Sequence, residues 1–376
     1  MRIQRYILGE LLAAFALIAL IITGVIFAAM LLQFLHRYQE LNLMTVLGAA
    51  PYIIPQAFPI TLPLSFLVAC LLTYGRFSDD NEFLALQMGG IHPWHAASPA
   101  VATAAILAVA TVLLNTDVIP FASLAQAEIA RGEVREIVKA IADPGREGLS
   151  LRGFQMSWHG RDERGLKDVL ITLTAADPDR PGERKTQVIQ ASRGRVDTSR
   201  LGEDRFYLDL DDVHATAGTG AAVTRIHAEN QLIALSIDQL VGQPPSLDAK
   251  DSDQMSASQL FYKARTLRAI GGKDPGVKEL ALQRKYEMEY WRRIAMGLAP
   301  LAFSFVGVGL GLAGGKGSRT AAFMTAILIA LPVYFPLILV GANLARHGIL
   351  PAGVAMNLGN ALLIGFGLWR FGRVVG

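Results

Sequence analysis

The chain has 376 residues, of which 52% are hydrophobic and 18% are charged, and its formal net charge is +3. A soluble domain carries about 25% charged residues, so this composition indicates a membrane protein. The net charge is too small to predict nucleic-acid binding. The single cysteine, Cys70, lies within an apolar run, which excludes an internal disulfide and favours a buried small side chain.

Six uncharged runs are each long enough to cross a bilayer, which takes ~20 mostly apolar residues. They are Leu11–Leu35, Leu41–Gly75, Phe83–Thr116, Ile294–Gly315, Thr320–Ala345 and Gly348–Trp369. A long polar stretch, from about Asp117 to Tyr290, separates the first three from the last three. The pattern predicts six transmembrane helices in a 3+3 arrangement around a large soluble insert.

The distribution of basic residues in the short loops predicts the orientation. The first run is too long for the apolar region of a signal peptide, so we expect a retained first helix. With the N-terminus inside, the inner loops hold seven basic residues and the outer short loops hold two. The inner set is Arg2, Arg5, Arg76, Lys316, Arg319, Arg370 and Arg373, and the outer set is Arg37 and Arg346. Both termini are therefore predicted to be cytoplasmic, with the insert outside.

Four prolines mark the start of the second run, at Pro51, Pro55, Pro59 and Pro63. Each removes a backbone hydrogen-bond donor, and the spacing of four places them near one face of a helix. A bilayer tolerates such backbone only against protein or a water-filled cavity. The pattern therefore predicts either a kinked, protein-buried helix or a helix that lines a central cavity.

A short amphipathic helix is predicted in the inner loop, over about residues 76–90. Ser78 or Asp79 can cap it, Glu82 stands in its first turn, and Gly89 follows its last turn. Anionic lipid would repel its acidic end, which disfavours a helix lying flat on the membrane. We therefore expect it to dock onto a cytoplasmic partner. His92 and His95 nearby lack the additional ligands of a metal site.

The insert, residues 120–289, combines helices with an all-β region. An amphipathic helix is predicted over 121–142 and short alternating segments over about 145–245, which favours a sandwich or open barrel over an α/β domain. A helical return is predicted over 255–289, opened by a capping box of Ser256 and Gln259. The candidate strands are Leu149–Trp158, Lys167–Thr174, Gln187–Ala191, Arg205–Leu210, Val213–Thr216, Val223–Ala228 and Gln231–Ser236. Residues 1–119 and 290–376 form the membrane part.

No catalytic constellation is found in the sequence. Gly309, Gly311 and Gly314 form a G-x-G-x-x-G string, but inside an apolar run with no preceding strand, so helix packing is favoured over nucleotide binding. Zinc-protease and nucleophile-elbow motifs are absent from the sequence. Asp209, Asp211 and Asp212 lie near His214, where solvated surface charge is expected. We predict a protein that is not an enzyme and has no cofactor or metal.

Three basic residues flank the outer ends of predicted helices: Arg37 ends the first, and Arg292 and Arg293 begin the fourth. Such residues often anchor a helix in the headgroup region. The alternative is that they form the basic rim of a cavity for a phosphate-bearing substrate. Position alone leaves both interpretations open.

The order of three helices, a β insert and three helices resembles the permease family of lipopolysaccharide export, the LptF/LptG (YjgP/YjgQ) type. Local strings match in the same order along nearly the whole chain: Arg5–Ile7, Pro63–Leu64, Tyr74–Arg76, Glu82–Gly89, Met255–Leu260, Gly317–Arg319 and Gly348–Pro351. The segment Asn357–Asn360 lacks a Trp often found there, which leaves the choice between the two subunit types open.

The resemblance implies the partners and the route of the substrate. Two permeases, identical or homologous, would form a cavity that takes lipopolysaccharide from the inner membrane of a bacterium. A cytoplasmic ATPase dimer would drive them, and the insert, a β-jellyroll in that family, would continue into a periplasmic bridge of similar folds. ATP would be hydrolysed by that partner and not by this chain.

The resemblance also implies roles for particular residues. Glu82 would contact the ATPase, with Phe83 and Arg76 beside it, and Arg37 would meet lipid A phosphates. Arg292 and Arg293 extend that basic rim by their location, and Pro55, Pro59 and Pro63 are the candidates to line the cavity.

Three alternatives differ in what they require. The permease of another envelope-lipid exporter would share the architecture. A non-transporting scaffold that presents the β insert to envelope partners would not need the inner-loop helix. A membrane enzyme acting on envelope lipids would need convergent acid, base or metal residues, and the sequence has none.

Overall fold

The computed structural model describes residues 2–37, 43–139, 148–151, 154–162, 165–176, 184–197, 205–219, 222–236, 252–270, 276–313, 324–325 and 328–375. Before the strands come α1 (Arg2–Arg37), α2 (Leu43–Asp79), α3 (Glu82–Met88), α4 (Pro93–Leu113) and α5 (Ile119–Lys139). After them come α6 (Ala257–Ile270), α7 (Val277–Ala313), α8 (Phe335–Arg346) and α9 (Ala352–Val375). Five-residue π-helical segments, Leu114–Val118 and Ala330–Tyr334, precede α5 and α8.

Five helical stretches in this part of the chain are long and apolar enough to cross a membrane. They are Arg2–His36, Met44–Asp79, Pro93–Gly132, Glu279–Ala313 and Ala352–Val374. The predicted run Thr320–Ala345 lies partly outside the described residues, and its described part holds a π-helical segment and α8. The predicted fold class, apolar helices on both sides of an all-β insert, is confirmed, with five spans found where six were predicted.

The chain divides into two compact units. The first comprises Met1–Met30, Tyr52–Ser123 and Ser252–Gly376, and the second comprises Leu31–Pro51 and Leu124–Asp251. The predicted helical return over residues 255–289 belongs to the first unit. Its predicted capping box is confirmed: the amide N of Gln259 donates to Ser256 Oγ (3.3 Å), and the amide N of Ser256 donates to Gln259 Oε1 (3.1 Å).

Glycines let the helices of the first unit approach closely, with α7 at the centre. A Cβ added at Gly307 would lie 2.5 Å from Cys70 Cβ, and one at Gly311 would lie 2.8 Å from Tyr74 Cβ. One at Gly309 would lie 2.7 Å from the carbonyl oxygen of Gly367 in α9. The predicted packing role of Gly309 and Gly311 is therefore confirmed, while Gly314 lies outside the described residues.

The described strands of the second unit form one antiparallel sheet. Its strands are β1 (Gly148–Leu151), β2 (Phe154–Ser157), β3 (Gly160–Asp162), β4 (Gly165–Ala176), β5 (Arg184–Asp197), β6 (Arg205–Thr219) and β7 (Ala222–Ser236). The order is β1-β2-β4-β5-β6-β7, with β3 paired to β4. Buried side chains of β1, β2, β4, β5 and β6, with Trp158 and with Ala130 of α5, form its hydrophobic core.

The predicted break between residues 210 and 213 is wrong, because β6 continues through it. Asp212 adopts a positive φ of 53°, and Asp168 in β4 has a φ of 48°. Leu210 and Val213 are both buried although they stand three residues apart. A residue in the left-handed region therefore shifts the inward-facing positions without ending the strand. The break predicted between Val223–Ala228 and Gln231–Ser236 is likewise absent from β7.

We expect Gly311→Ala to lower the thermal unfolding midpoint of the protein in detergent. The new Cβ needs a backbone shift between α7 and α2, and overpacking of this kind costs about 1–3 kcal/mol. Gly365→Ala is the matched control, because an added Cβ there meets nothing within 4 Å. That variant is expected to be neutral or slightly more stable, and equal shifts in both variants would contradict the packing role.

Candidate functional site

The short helix α3 follows α2 after a tight turn. Asn81 precedes it with a φ of 57° and makes no side-chain capping hydrogen bond, and Gly90 follows it with a φ of 72°. The predicted caps are therefore wrong: Ser78 and Asp79 belong to α2, and Ser78 Oγ donates to the carbonyl oxygen of Leu312 (3.2 Å). Because the residues on both sides of α3 adopt left-handed backbone conformations, this seven-residue helix does not continue the axis of α2.

One side of α3 is anchored and the other is free for contact. Phe83 is 6% exposed and packs in a cluster with Tyr74 and Phe77. Leu84 is 51% exposed and Met88 is 77% exposed, while Glu82 is half-buried in the first turn. The helix therefore presents an acidic residue and two apolar side chains on a fixed base, which is the chemistry of a small protein-docking surface.

Arg76 links α1 to the end of α2, six residues before α3 begins. Its Nη2 donates to Tyr6 Oη (2.8 Å) and lies 2.6 Å from Glu10 Oε1, and its Nε lies 3.6 Å from Asp80 Oδ2. The sequence analysis missed Glu10, although an acidic residue at the edge of the first apolar run was a usable signal. Because charge-assisted hydrogen bonds of this length are strong, the pair ties the N-terminal part of α1 to α2.

Apolar side chains of α1 make further contacts within the first unit. Ile7 and Leu11 are buried in the cluster that also contains Phe83. From Leu12 to Gln33, however, no side chain is buried by the described residues, and Leu20 is 74% exposed. Phe15 and Ile18 are nevertheless partly buried against the core clusters of the first unit, and the ring centroid of Phe15 lies 5.7 Å from that of Phe66. Within the first unit, α1 is thus held by its N-terminal half.

The prolines of α2 lie within one uninterrupted helix. Pro55 and Pro59 are half-buried, and Pro63 is buried. Thr61 and Ser65 are fully buried beside them, and their hydroxyl oxygens have no hydrogen-bond partner among the residues that the structure describes. Pro63 therefore stands against protein, and the lining of a cavity by Pro55, Pro59 and Pro63 stays a prediction.

At the other end of the first unit, Arg293 is buried in a polar cluster. Its Nη1 donates to the carbonyl oxygen of Met255 (2.6 Å), its Nη2 to that of Ser252 (2.6 Å) and its Nε to Glu289 Oε1 (3.2 Å). Asn115 Nδ2 donates to the carbonyl oxygen of Arg293 (3.1 Å). Each of the three guanidinium nitrogens of Arg293 thus donates a hydrogen bond. These bonds hold the segment before α6 against α7.

Arg292 shares the same carboxylate but reaches the surface. Its Nη2 and Nε donate to the two oxygens of Glu289 at 2.7 and 2.8 Å. The Arg292 side chain is 34% exposed, whereas that of Arg293 is 7% exposed. Of these two arginines, both predicted for the basic rim, Arg292 is therefore the one with an exposed side chain. Arg37 ends α1, and its side chain lies outside the described part of the structure.

A groove of about 1050 Å³ lies beside this cluster, between α6, α7 and the start of α9. Aromatic side chains line it at Phe261, Tyr290 and Trp291, and basic side chains at Arg265 and Arg268. The sequence analysis missed the two arginines, whose spacing of three places them on one side of α6. Apolar rings beside guanidinium groups suit an amphiphile with an anionic head.

The chain matches a known family over almost its entire length. The family model described as "Lipopolysaccharide export system permease LptF/LptG" covers residues 5–373. A comparison with curated proteins gives no match.

We expect Arg293→Gln to destabilise the protein strongly. Breaking a buried, hydrogen-bonded ion pair costs about 3–5 kcal/mol, and the carbonyl groups of Ser252 and Met255 lose their donors. The thermal unfolding midpoint in detergent should fall, and limited proteolysis should cut sooner near Ser252. Arg292→Gln is the matched control with a smaller expected shift, because Glu289 keeps Arg293. Equal shifts would show that Arg293 is not the structural member of the pair.

Proposed function

Because the chain belongs to the LptF/LptG family of lipopolysaccharide export permeases, we propose that a separate cytoplasmic ATPase dimer drives it through α3. The chain is a transporter subunit and a multi-pass protein of the inner membrane. The observation that carries the proposal is the form of α3, an acidic, partly apolar helix exposed on a base anchored by Phe83. An ATP-driven transporter needs such a contact to receive work from another subunit.

The ion pair of Arg76 with Glu10 is the proposed next step of the coupling. A movement imposed on Glu82 or Phe83 displaces the end of α2, where Arg76 stands. Since Arg76 Nη2 lies 2.6 Å from Glu10 Oε1, that displacement also pulls on the N-terminal third of α1. Between Ile18 and Met30, α1 has no fully buried side chain among the described residues, and this part of the helix would follow. In this proposal Arg76 is a positioning residue between α3 and α1.

A second permease subunit, identical or homologous, is the proposed partner of the exposed part of α1. Supporting this is the row of exposed apolar side chains that includes Leu17, Leu20 and Val25. The cavity between two subunits would receive lipopolysaccharide, with Pro55, Pro59 and Pro63 among its lining residues. The basic count of the loops supports cytoplasmic termini and a periplasmic insert, which would hand the lipid to a bridge of β-jellyroll proteins.

The proposed contacts with lipid phosphates are Arg37 and Arg292, with Arg293 in support. Arg292 combines an exposed guanidinium with a carboxylate that fixes its position. Arg293 would act indirectly, because it holds the shared Glu289 and the segment before α6. Guanidinium groups bind phosphate oxygens with paired hydrogen bonds, and lipopolysaccharide offers several phosphates.

We expect Glu82→Arg to abolish co-purification of the ATPase and ATP-driven release of lipopolysaccharide from reconstituted vesicles. The substitution reverses the charge in the first turn of α3 while Phe83 keeps the helix anchored. Glu279→Arg, at an exposed acidic residue of α7, is the matched control and should change neither readout. Unchanged assembly and release in the Glu82 variant would refute docking through α3.

The same assay separates docking from transmission. Glu10→Gln removes the charge partner of Arg76 but leaves α3 intact. The ATPase should therefore still co-purify, while lipid release per ATP hydrolysed falls several-fold. If release falls only together with ATPase binding, Glu10 belongs to the docking step and the proposed link to α1 is wrong.

Photo-crosslinking tests the basic rim. A photoreactive amino acid at Arg37 or at Arg292 should capture lipopolysaccharide in membranes, because both positions are proposed to meet its phosphates. The same residue at His95, which is exposed in α4 at the predicted cytoplasmic side, is the background control. No capture above that background would remove the tested position from the rim.

A further inference from the structure

Two histidines face each other across the last two strands of the sheet. His214 in β6 is the register partner of His227 in β7. Their rings are stacked, with centroids 4.5 Å apart and an interplanar angle of 27°. Both side chains are exposed, at 62% and 58%, so burial does not force this pairing. The sequence analysis grouped His214 with solvated acids and could not include His227 without the strand register.

A carboxylate lies at the same place. Asp212 Oδ1 lies 3.6 Å from His214 Nε2 and 3.9 Å from His227 Nδ1. One ligand atom from each of the three residues lies within 4.8 Å of the others. The distances between these groups exceed hydrogen-bond length, so the imidazole nitrogens and the carboxylate oxygen converge without bonding one another.

We propose that Asp212, His214 and His227 bind a divalent transition-metal ion of the Zn²⁺, Cu²⁺ or Ni²⁺ class. Imidazole nitrogens suit these ions, whereas Mg²⁺ and Ca²⁺ prefer sets made only of oxygen. Bonds of about 2.1 Å place neighbouring ligand atoms in a tetrahedral site about 3.4 Å apart. Small rotations of the three exposed side chains would bring their ligand atoms from the present separations to this distance. Water can bind as a further ligand from the solvent side.

The surroundings of Asp212 fix it in the required position. Ser192 Oγ donates to Asp212 Oδ2 (2.7 Å), which leaves Oδ1 directed at the two imidazoles. Hydrogen bonds of this kind orient metal-binding carboxylates and raise affinity. The positive φ of Asp212 shifts the inward-facing positions of β6 there, and its side chain is exposed on the same face as that of His214.

A bound ion would tie β7 to β6. In the described sheet β7 is the last strand in the order, paired only with β6. A metal bridging His227 to two residues of β6 would add a link across this pair, and it would stabilise the folded sheet because it binds the folded form only. This role is independent of the coupling proposed for α3.

Metal titration of the full-length protein in detergent tests the site. The protein is purified without a polyhistidine tag, stripped with chelator and titrated calorimetrically with ZnCl₂ and NiCl₂. We expect about one ion per chain, as for a single site of this type, and a thermal midpoint that rises with metal. Cu²⁺ bound there should show the electron paramagnetic resonance signature of two nitrogen ligands.

Variants distinguish this site from other histidines. His214→Ala and His227→Ala should each lose the bound ion, and Ser192→Ala should weaken binding about 10–100-fold while leaving all three ligands in place. His159→Ala, at an exposed histidine outside the cluster, should bind as the wild type does. Circular dichroism without metal checks that each variant keeps its strands. Wild-type affinity in the folded His214 and His227 variants would overturn the proposal, as would the absence of binding by the wild type.

Discussion

The close approach of backbones at the glycines of α7 is the constraint on which the helical unit depends. Lipid tails are as apolar as leucine side chains, so burial alone does not draw helices together in a bilayer. Contact between backbones supplies dispersion energy instead, and only glycine permits it at Gly307, Gly309 and Gly311. Through these positions α7 packs on α2 and α9. The three helices therefore form one closely packed body.

Within the first unit, the helix α1 packs through its N-terminal half. Its buried residues in the first unit are Ile7 and Leu11, and its charged contact is Glu10 with Arg76. The charged contact joins α1 to the end of α2, which also carries α3. The end of α2 therefore connects the proposed point of energy input to α1.

The sequence predicted the features that depend on local pattern. Apolar length predicted the spans, alternation predicted an all-β insert, and residue spacing predicted the capping box of Ser256 and Gln259. What it missed depends on contacts between distant residues. Arg293 is satisfied by carbonyl groups 38 and 41 positions away, and the pairing of His214 with His227 follows from the register of β6 and β7. The sequence predicted two strands in place of β6, because two consecutive aspartates at 211 and 212 are typical of a turn. In the structure Asp212 adopts a left-handed conformation and the strand continues through it.

Arg292 and Arg293, near the middle of α7, differ in what they can do for a substrate. Arg293 could turn toward a lipid phosphate only by leaving two carbonyl groups and part of Glu289 without donors. Uncompensated buried groups of this kind cost several kcal/mol, which one phosphate contact near water does not return. Arg292 keeps its hydrogen bonds to Glu289 while a third of its side chain stays exposed. Arg293 therefore stabilises the packing of the segment before α6 on α7. Arg292 can bind an anionic lipid at little structural cost.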